Sequence, residues 1–470
     1  MSSSPVPRQL SADLVVIGGG PGGYVAAARA AQLGARVALV EARELGGTCL
    51  NRGCIPTKSL LRSVEAYELA RSGARELGVL VEGVALDWPK ALQRKEKVVK
   101  QLRAGVEMIM RTHSVQVLAG KGSLLGPTRV RVEAPDGETL VEAPRIIIAT
   151  GSVPARVPIP GADRPGVIDS DQALELDAVP ASLVVIGGGA IGLEFAYLFA
   201  TLGCQVTIVE MLPHLLPAED EEVAAELTRI LRKRGVAVHA PAQVQSISDG
   251  PAGHRVTITS EAGEKRVDCD LVLQAVGRTP YLEGLGAQEL GLEISRRALV
   301  VNERMETSIP GLYAIGDAVG GMLLAHVASA EGKVAAANAL GGRETMCYDA
   351  VPACLYTSPE AASVGLTEAA ATDRGLACRV ARTNFRAIGK AVALGERDGF
   401  VKMVAEAGSG RLLGVQIIGP HATDLVAEAA LAVATGTTAA TLAGIIHAHP
   451  TLAESLMECA AGVLGRAVHG

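Results

Sequence analysis

Leu14-Val15-Val16-Ile17-Gly18-Gly19-Gly20-Pro21-Gly22-Gly23 is the stretch that decides the fold. Four apolar residues in a row read as a strand buried on both faces, as in a parallel sheet. They run into a GxGxxG at Gly18, Gly20 and Gly23, and then into an Ala-rich helix from Tyr24 to Leu33. Gly34 closes that helix, Arg36 to Val40 forms a second strand, and Glu41 ends it. The glycines permit a tight turn and let a pyrophosphate approach a helix N-terminus, while the acid accepts hydrogen bonds from ribose hydroxyls. A bare GxGxxG is a weak signal. Strand, glycines, helix, strand and terminal acid in register are a strong one.

The construction recurs. Leu183 to Ile186 is a strand, Gly187, Gly189 and Gly192 repeat the fingerprint, and Gln205 to Val209 leads to Glu210. The same offset separates Gly18 from Gly187 and Glu41 from Glu210. Two dinucleotide sites in one chain imply that one dinucleotide hands electrons to the other, which is oxidoreductase chemistry.

Just past the first unit, and just before a helical run over Ser59 to Ala70, stands Gly46-Gly47-Thr48-Cys49-Leu50-Asn51-Arg52-Gly53-Cys54-Ile55-Pro56-Thr57-Lys58. In a regular helix the two cysteines would be turned by about 140° and raised by about 7.5 Å. A disulfide tolerates about 7 Å between Cα atoms. The segment must therefore bend if the sulfurs are to bond, and Asn51 and Gly53 permit it. At the start of a helix the thiols would also be partly stabilised as thiolates, the nucleophilic form. On spacing alone, a CxxxxC is more often a pair of buried, reduced cysteines. Its place beside the glycine loop reverses that reading.

At 470 residues the chain is long enough for about three domains. Gly 54 against Phe 4, Tyr 7 and Trp 1 suggests many tight turns and no stacking surface for nucleic acid, and the net charge of −6 argues the same way. No apolar run is long enough to span a membrane. Met1 to Asp13 reads as neither a secretory signal nor a transit peptide. Eight cysteines, mostly scattered singly, suit a reducing compartment, and the cytoplasm is expected. No metal site is expected.

Between the two dinucleotide units lie a long polar helix, about Leu86 to Arg111, and short β runs over Val115 to Val141. Arg145 to Ala149 is another buried strand, closed by Thr150-Gly151, and the Pro-rich Val153 to Pro165 reads as a crossing between domains. The second unit ends near Leu271 to Ala275, followed by Gly277-Arg278-Thr279-Pro280, and Thr307 to Asp317 gives a short strand ending on Gly316-Asp317. From Tyr348 the texture changes to longer strands (Cys378 to Asn384, Phe400 to Ala405, Leu412 to Ile418) and an apolar helix, Ala422 to Thr435. That region looks like an oligomerisation domain.

Its last landmark is His447-Ala448-His449-Pro450-Thr451-Leu452-Ala453-Glu454. Dithiol chemistry needs a group that exchanges a proton near neutral pH, and His449 suits it. Glu454 would orient the ring, or, as the last member of Thr451-x-x-Glu454, would cap a helix. The residues alone leave both open. Lys58 and Glu194, taken alone, read as solvated surface charges.

From Gly46 to Lys58 the sequence resembles, almost residue for residue, the redox-active disulfide of the flavin-linked disulfide reductases, the class I pyridine nucleotide-disulfide oxidoreductases. Both fingerprints, the Ala149-Thr150-Gly151 and Gly316-Asp317 motifs and the C-terminal histidine extend the resemblance over essentially the whole chain. It implies an α/β fold with two Rossmann-like dinucleotide-binding domains and a C-terminal α+β dimerisation domain. The implied FAD domain is discontinuous, 1–150 and 277–347; the NAD domain is 151–276 and the interface domain 348–470. Cys49 and Cys54 are implied as the disulfide, with Lys58 and Glu194 an ion pair beside the flavin. Gly18, Gly20, Gly23, Glu41, Thr150, Gly151 and Asp317 fall around FAD, and Gly187, Gly189, Gly192, Glu210 and Gly277 around NAD. His449 is implied as the base, oriented by Glu454, with His447 a neighbour, in a homodimer where the histidine reaches the other subunit's disulfide.

Details choose the branch. Glu210 is followed by Met211-Leu212-Pro213 with no basic residue to hold a 2′-phosphate, so NAD is favoured over NADP. Mercuric reductases add a C-terminal cysteine pair; here only Cys459 lies near Gly465 to Gly470. Cys54-Ile55-Pro56-Thr57-Lys58, Ile191 and the histidine motif are similar to the branch that oxidises dihydrolipoamide. Arg52 and Thr57 depart from the residues many members carry, on a loop where no chemical role changes. No lipoyl domain is seen ahead of Ser11, so the lipoyl group is expected on another protein, an E2 component of a 2-oxoacid dehydrogenase complex or a glycine-cleavage H protein. The alternatives are another NAD(P)H-linked disulfide or metal-ion reductase of the mercuric or glutathione type, or a non-catalytic redox-sensing flavoprotein.

Overall fold

Alternation along one strand sets the layers around the first glycine loop. Leu14–Ile17 is buried at every position. Leu14 and Val16 join one apolar cluster and Val15 and Ile17 another, as a side-chain period of two requires. The sheet is parallel, in the order Leu312–Ala314, Ile146–Ile148, Leu14–Ile17, Val37–Glu41, Gln116–Ala119. One face packs on Ala26, Ala27 and Ala30 of the helix Pro21–Gln32 and on Val99, Val106 and Met110 of the helix Trp88–Thr112. The other packs on Leu124, Val130, Val132 and Val141 of a four-stranded sheet. That second sheet includes Arg8–Ser11, paired with Thr139 to Glu142. The sequence did not mark this strand because it is polar and held by backbone pairing. The computed structural model describes residues 7–469; residues 1–6 of the expected first domain and residue 470 of the last lie outside them.

The chain divides into two compact units. Met1–Ser59, Leu92–Ala155 and Arg278–Cys347 form the one just described; Leu60–Ala91, Arg156–Gly277 and Tyr348–Gly470 form the other. The second unit repeats the parallel plan, in the order Val167–Ile168, Leu271–Gln274, Ser182–Ile186, Gln205–Val209, Ala237–His239. An antiparallel ribbon, Gln243–Gly250, Gly253–Ser260 and Gly263–Cys269, covers it through Val244, Ile247, Val256 and Ile258.

The same unit holds a five-stranded antiparallel sheet, in the order Ala353–Leu355, Glu360–Gly365, Leu412–Gly419, Phe400–Glu406, Cys378–Asn384. Ala422, Val426 and Ala429 of the helix Ala422–Ala434 and Leu456, Cys459 and Ala460 of the helix Glu454–Val463 close its core. Lys402 of this sheet is 3% exposed and meets Asp220 at 2.9 Å, Glu222 at 2.7 Å and Glu368 at 3.0 Å. Asp220 caps the helix Glu221–Lys233 of the parallel part, so a buried cation with its full set of partners joins the two parts. The fold is α/β, two dinucleotide-binding folds with an α+β sheet after them.

Candidate active site

The two glycine loops have one geometry. Gly18 has φ 108 and a Cβ there would fall 2.1 Å from the Ala149 carbonyl oxygen; Gly187 has φ 106 and a Cβ would fall 2.4 Å from that of Ala275. Those glycines are demanded by the chain itself. The middle ones are not. Gly189 has φ −79 and nothing within 4 Å of a Cβ, and above Gly20, at φ −69, the only neighbour is the Gly47 Cα at 3.8 Å. Backbone and packing would accept a side chain at Gly189, so the open space there suits a group from outside the chain, as a pyrophosphate would be. Both loops open a helix, Pro21–Gln32 and Ala190–Thr201. Pro21 at the first turn moves the first helix start ahead of Tyr24, because no N–H partner is needed there.

Each terminal acid is clamped by backbone. Glu41 accepts from the Gly19 and Arg43 N–H groups, both at 2.7 Å. Glu210 accepts from Gly188 at 2.6 Å and Leu212 at 2.7 Å, and is buried. A carboxylate has about four lone-pair sites, so two remain on each acid for further donors, an arrangement that suits hydroxyl groups. Nearby, the Thr150 hydroxyl is buried with no partner, which fits a site that a bound cofactor completes. Asp317 accepts from the Ser152 hydroxyl, and the Arg278 guanidinium donates to Ser152 Oγ at 2.7 Å and to its carbonyl at 2.8 Å. Ser152 and Arg278 carried no sequence signal, because the contact joins residues far apart in the chain.

The cysteine loop is seated on the first glycine loop. Gly46 donates to the Gly19 carbonyl at 2.8 Å, and a Cβ on Gly47 would fall 2.6 Å from the Gly20 Cα. Cys49 lies in the short helix Gly47–Arg52, and Cys54 starts the long helix Cys54–Glu68. The bend between them is at Gly53, φ −142 and ψ −108. The long helix thus begins five residues before Ser59, because Pro56 lies in its first turn, where no N–H acceptor is lost. Asn51 is helical; its amide donates to the Leu45 and Gly47 carbonyls at 3.0 and 2.9 Å and accepts from Arg103 at 3.0 Å, stitching the loop shut.

Both cysteines are half-buried. The helix-start expectation fails for Cys49. Its hydrogen bond with Cys54, then burial and the neighbouring sulfur's charge, push its thiol up, with Lys58 only partly offsetting them. Two adjacent thiolates repel each other, so ionising both sulfurs costs more than ionising either one. Tyr24, also raised by burial and then by Cys49, stands within the same field.

Lys58 lies on the cysteine helix, and Glu194, buried on the second glycine-loop helix, accepts from the Tyr356 N–H at 3.2 Å. Gly277 has φ 105 and open space above it. His449 Nδ1 meets Glu454 Oε1 at 2.9 Å, and the other oxygen of Glu454 accepts from the Thr451 N–H at 2.8 Å. Glu454 therefore both orients the ring and satisfies the backbone, and the Thr451 N–H, more than the histidine, holds its carboxyl below the usual range. The expected capping box does not form: the helix starts at Glu454 with Ala453 at its N-cap, and the Thr451 hydroxyl donates to the Ala448 carbonyl instead. The His449 side chain is 76% exposed, leaving Nε2 open. His447 is 6% exposed, with its nitrogens facing Glu428 and the Ile445 carbonyl.

With this geometry the sequence comparisons agree. Residues 12–332 match the pyridine nucleotide-disulphide oxidoreductase family, and residues 351–460 match that family's dimerisation domain. The chain belongs to the pyridine nucleotide-disulphide oxidoreductases. It is similar to the dihydrolipoyl dehydrogenase of Bacillus subtilis, 41% identical over 469 residues, covering 97% of this chain and 99% of the relative. The dihydrolipoyl dehydrogenase of Chlorobaculum parvum is 44% identical over 456 residues, covering 96% and 97%. Among solved structures, LpdA from Mycobacterium tuberculosis superposes with a TM-score of 0.89 at 30% identity, covering 97% and 100% of the two chains. As in other oxidoreductases of this family, a dimerisation domain follows the dinucleotide folds. No helix among the described residues is long and apolar enough to cross a membrane.

Proposed function

We infer that this chain is a dihydrolipoyl dehydrogenase: it oxidises dihydrolipoamide to lipoamide and reduces NAD+ to NADH. The observation that carries this reading is the Cys49–Cys54 pair seated directly on a dinucleotide loop, in a chain that carries a second such loop. The domains are 1–150 with 277–347 for FAD, 151–276 for NAD, and 348–470 for the interface of a homodimer.

FAD, held by the first glycine loop, Glu41, Thr150, Gly151 and Asp317, supplies the two-electron relay between dithiol and nucleotide. Lys58 and Glu194 position charge beside it. NAD is held by Gly187, Gly189, Gly192, Glu210 and Gly277. His449 Nε2 takes the proton of one substrate thiol, and the thiolate attacks Cys49 Sγ, breaking the Cys49–Cys54 bond and leaving the Cys54 thiolate. The second substrate sulfur then attacks the first, releasing lipoamide and the Cys49 thiol. Glu454 keeps the ring aimed through each proton transfer. The substrate arm belongs to a lipoyl-bearing protein, an E2 component or a glycine-cleavage H protein, and the enzyme works in the cytoplasm.

Steady turnover tests the reading: NADH should form from dihydrolipoamide and NAD+, at a rate far above that of glutathione or mercuric-ion reduction with NADPH. The reverse ranking would contradict it. Discrimination between the nucleotides rests on Glu210. Replacing it with Ala removes a charged acceptor worth about 1.5–3 kcal/mol, so the preference for NAD over NADP should narrow at least about tenfold, mostly in KM. An unchanged ratio would move that role elsewhere.

Exposure of His449 Nε2 on the protomer suits a site completed by a second copy. Cys54→Ser and His449→Ala, each inactive as a homodimer, should regain about a quarter of wild-type activity when their subunits are exchanged in equal amounts, because half the dimers are mixed and each mixed dimer has one whole site. No recovery, with exchange confirmed by mass, would place each histidine with its own cysteines.

A further inference from the structure

The helix that begins at Cys54 ends at Glu68, and the next residue opens a π turn, Leu69–Gly73. At that last regular position the Glu68 carboxylate accepts from the Tyr197 hydroxyl at 3.1 Å with one oxygen and from Arg234 Nη1 with the other. The Arg234 guanidinium lies 5.2 Å over the Tyr197 ring, and its second nitrogen donates to the Ser358 carbonyl at 3.1 Å. Four segments therefore meet at one carboxylate: the cysteine helix, the second glycine-loop helix, the end of the helix Glu221–Lys233, and the entry to the C-terminal sheet.

The choice of tyrosine is informative. Along Ala190–Thr201 the aromatic positions are Phe195, Tyr197 and Phe199, all at most 2% exposed. The one hydroxyl falls where Glu68 can accept from it. Tyr197 is buried, whereas the Glu68 and Arg234 side chains are about a quarter exposed, so the ion pair adds little stability and the hydroxyl–carboxylate contact acts mainly to fix one arrangement. Geometry says which arrangement. Cys54 and Glu68 lie within about 40° of one face of their helix, about 21 Å apart along its axis. Glu194 and Tyr197 lie one turn apart, within about 60° of one face of theirs. Each helix is held near the face that carries a residue the dihydrolipoyl dehydrogenase reading assigns to the redox site, Cys54 on one and Glu194 on the other.

We propose that Glu68, Tyr197 and Arg234 form a positioning clamp that sets the roll and height of the cysteine helix against the second glycine-loop helix, and so the rate of dithiol turnover. These are positioning residues, acting through the helix that carries Cys54 and Lys58. The role as a clamp for catalysis rests on the dihydrolipoyl dehydrogenase reading; the clamp as a mechanical element does not.

Tyr197→Phe in the full FAD-loaded dimer is the mildest test, because the Glu68–Arg234 ion pair stays. A displacement of about 1 Å costs on the order of 10²-fold in rate, so a partial slip should lower kcat for dihydrolipoamide about tenfold with its KM unchanged. Transfer from NADH to a dye, which bypasses the dithiol, should stay within about twofold. Amide exchange over residues 60–68 should rise about tenfold as the helix end loosens. Glu68→Gln keeps an acceptor for Tyr197 and should retain more activity than Glu68→Ala. Unchanged kcat and unchanged exchange in Tyr197→Phe would overturn the clamp, as would equal losses in the dithiol and dye assays, which signal damage to the nucleotide site or fold. Wild-type protein run alongside separates the two readings: if it fails to oxidise dihydrolipoamide the functional assignment falls, and the exchange measurement still decides the clamp.

Discussion

Cys49→Ser and Cys54→Ser should each bring dihydrolipoamide turnover with NAD+ to background, a loss on the order of 10³-fold or more, since neither sulfur of an interchange pair has a substitute. The two variants differ in colour. Cys54 starts the helix that also carries Lys58, and its thiolate is the one expected against the flavin. Cys49→Ser should therefore show a long-wavelength thiolate absorbance without added reductant, and Cys54→Ser none under any condition. The opposite pattern would exchange the roles of the two sulfurs. Both variants should keep NADH-to-dye transfer, which separates loss of the dithiol from loss of the fold.

His449→Gln should slow dihydrolipoamide turnover on the order of 10²-fold, the usual size of a lost general base. Its Nδ1 is already committed to Glu454 at 2.9 Å, so only Nε2 is open for the substrate thiol. Glutamine keeps a donor for Glu454 but cannot cycle a proton near neutral pH. Dye transfer should be nearly untouched, and matched losses in both assays would point to folding damage. Glu454→Gln should be milder for the ring and harder on the loop, because the Thr451 N–H loses a charged acceptor as well.

What the sequence made legible was local. Strand, glycines, helix and acid follow one another within a few tens of residues, so spacing alone revealed both dinucleotide folds, and the bend between Cys49 and Cys54 followed from helix geometry. The pairing of Arg8–Ser11 with Thr139 to Glu142 escaped, because a polar edge strand leaves no apolar alternation. The helix starts at Pro21 and Cys54 were read late, since proline and glycine in a first turn look like loop. Least legible were the long-range polar contacts. Ser152 with Arg278 and Asp317, Asn51 with Arg103, and Glu68 with Tyr197 and Arg234 join positions with no periodic relation, and nothing in residue order announces them. The double duty of Glu454 was undecidable for a related reason: one motif encodes both a backbone acceptor and a ring partner, and only the two oxygens seen separately distinguish them.

Thiol labelling before and after one equivalent of dihydrolipoamide, without oxygen or NAD+, tests the dithiol assignment most directly. In the oxidised protein Cys49 and Cys54 should resist an alkylating agent, while the exposed Cys347 takes label and serves as the internal standard. After dihydrolipoamide, peptide mass should show new label at Cys49 and Cys54 and at no other cysteine, with lipoamide recovered in equal amount. New label elsewhere, or lipoamide formed while the Cys49–Cys54 peptide stays unlabelled, would contradict a reaction carried by this pair.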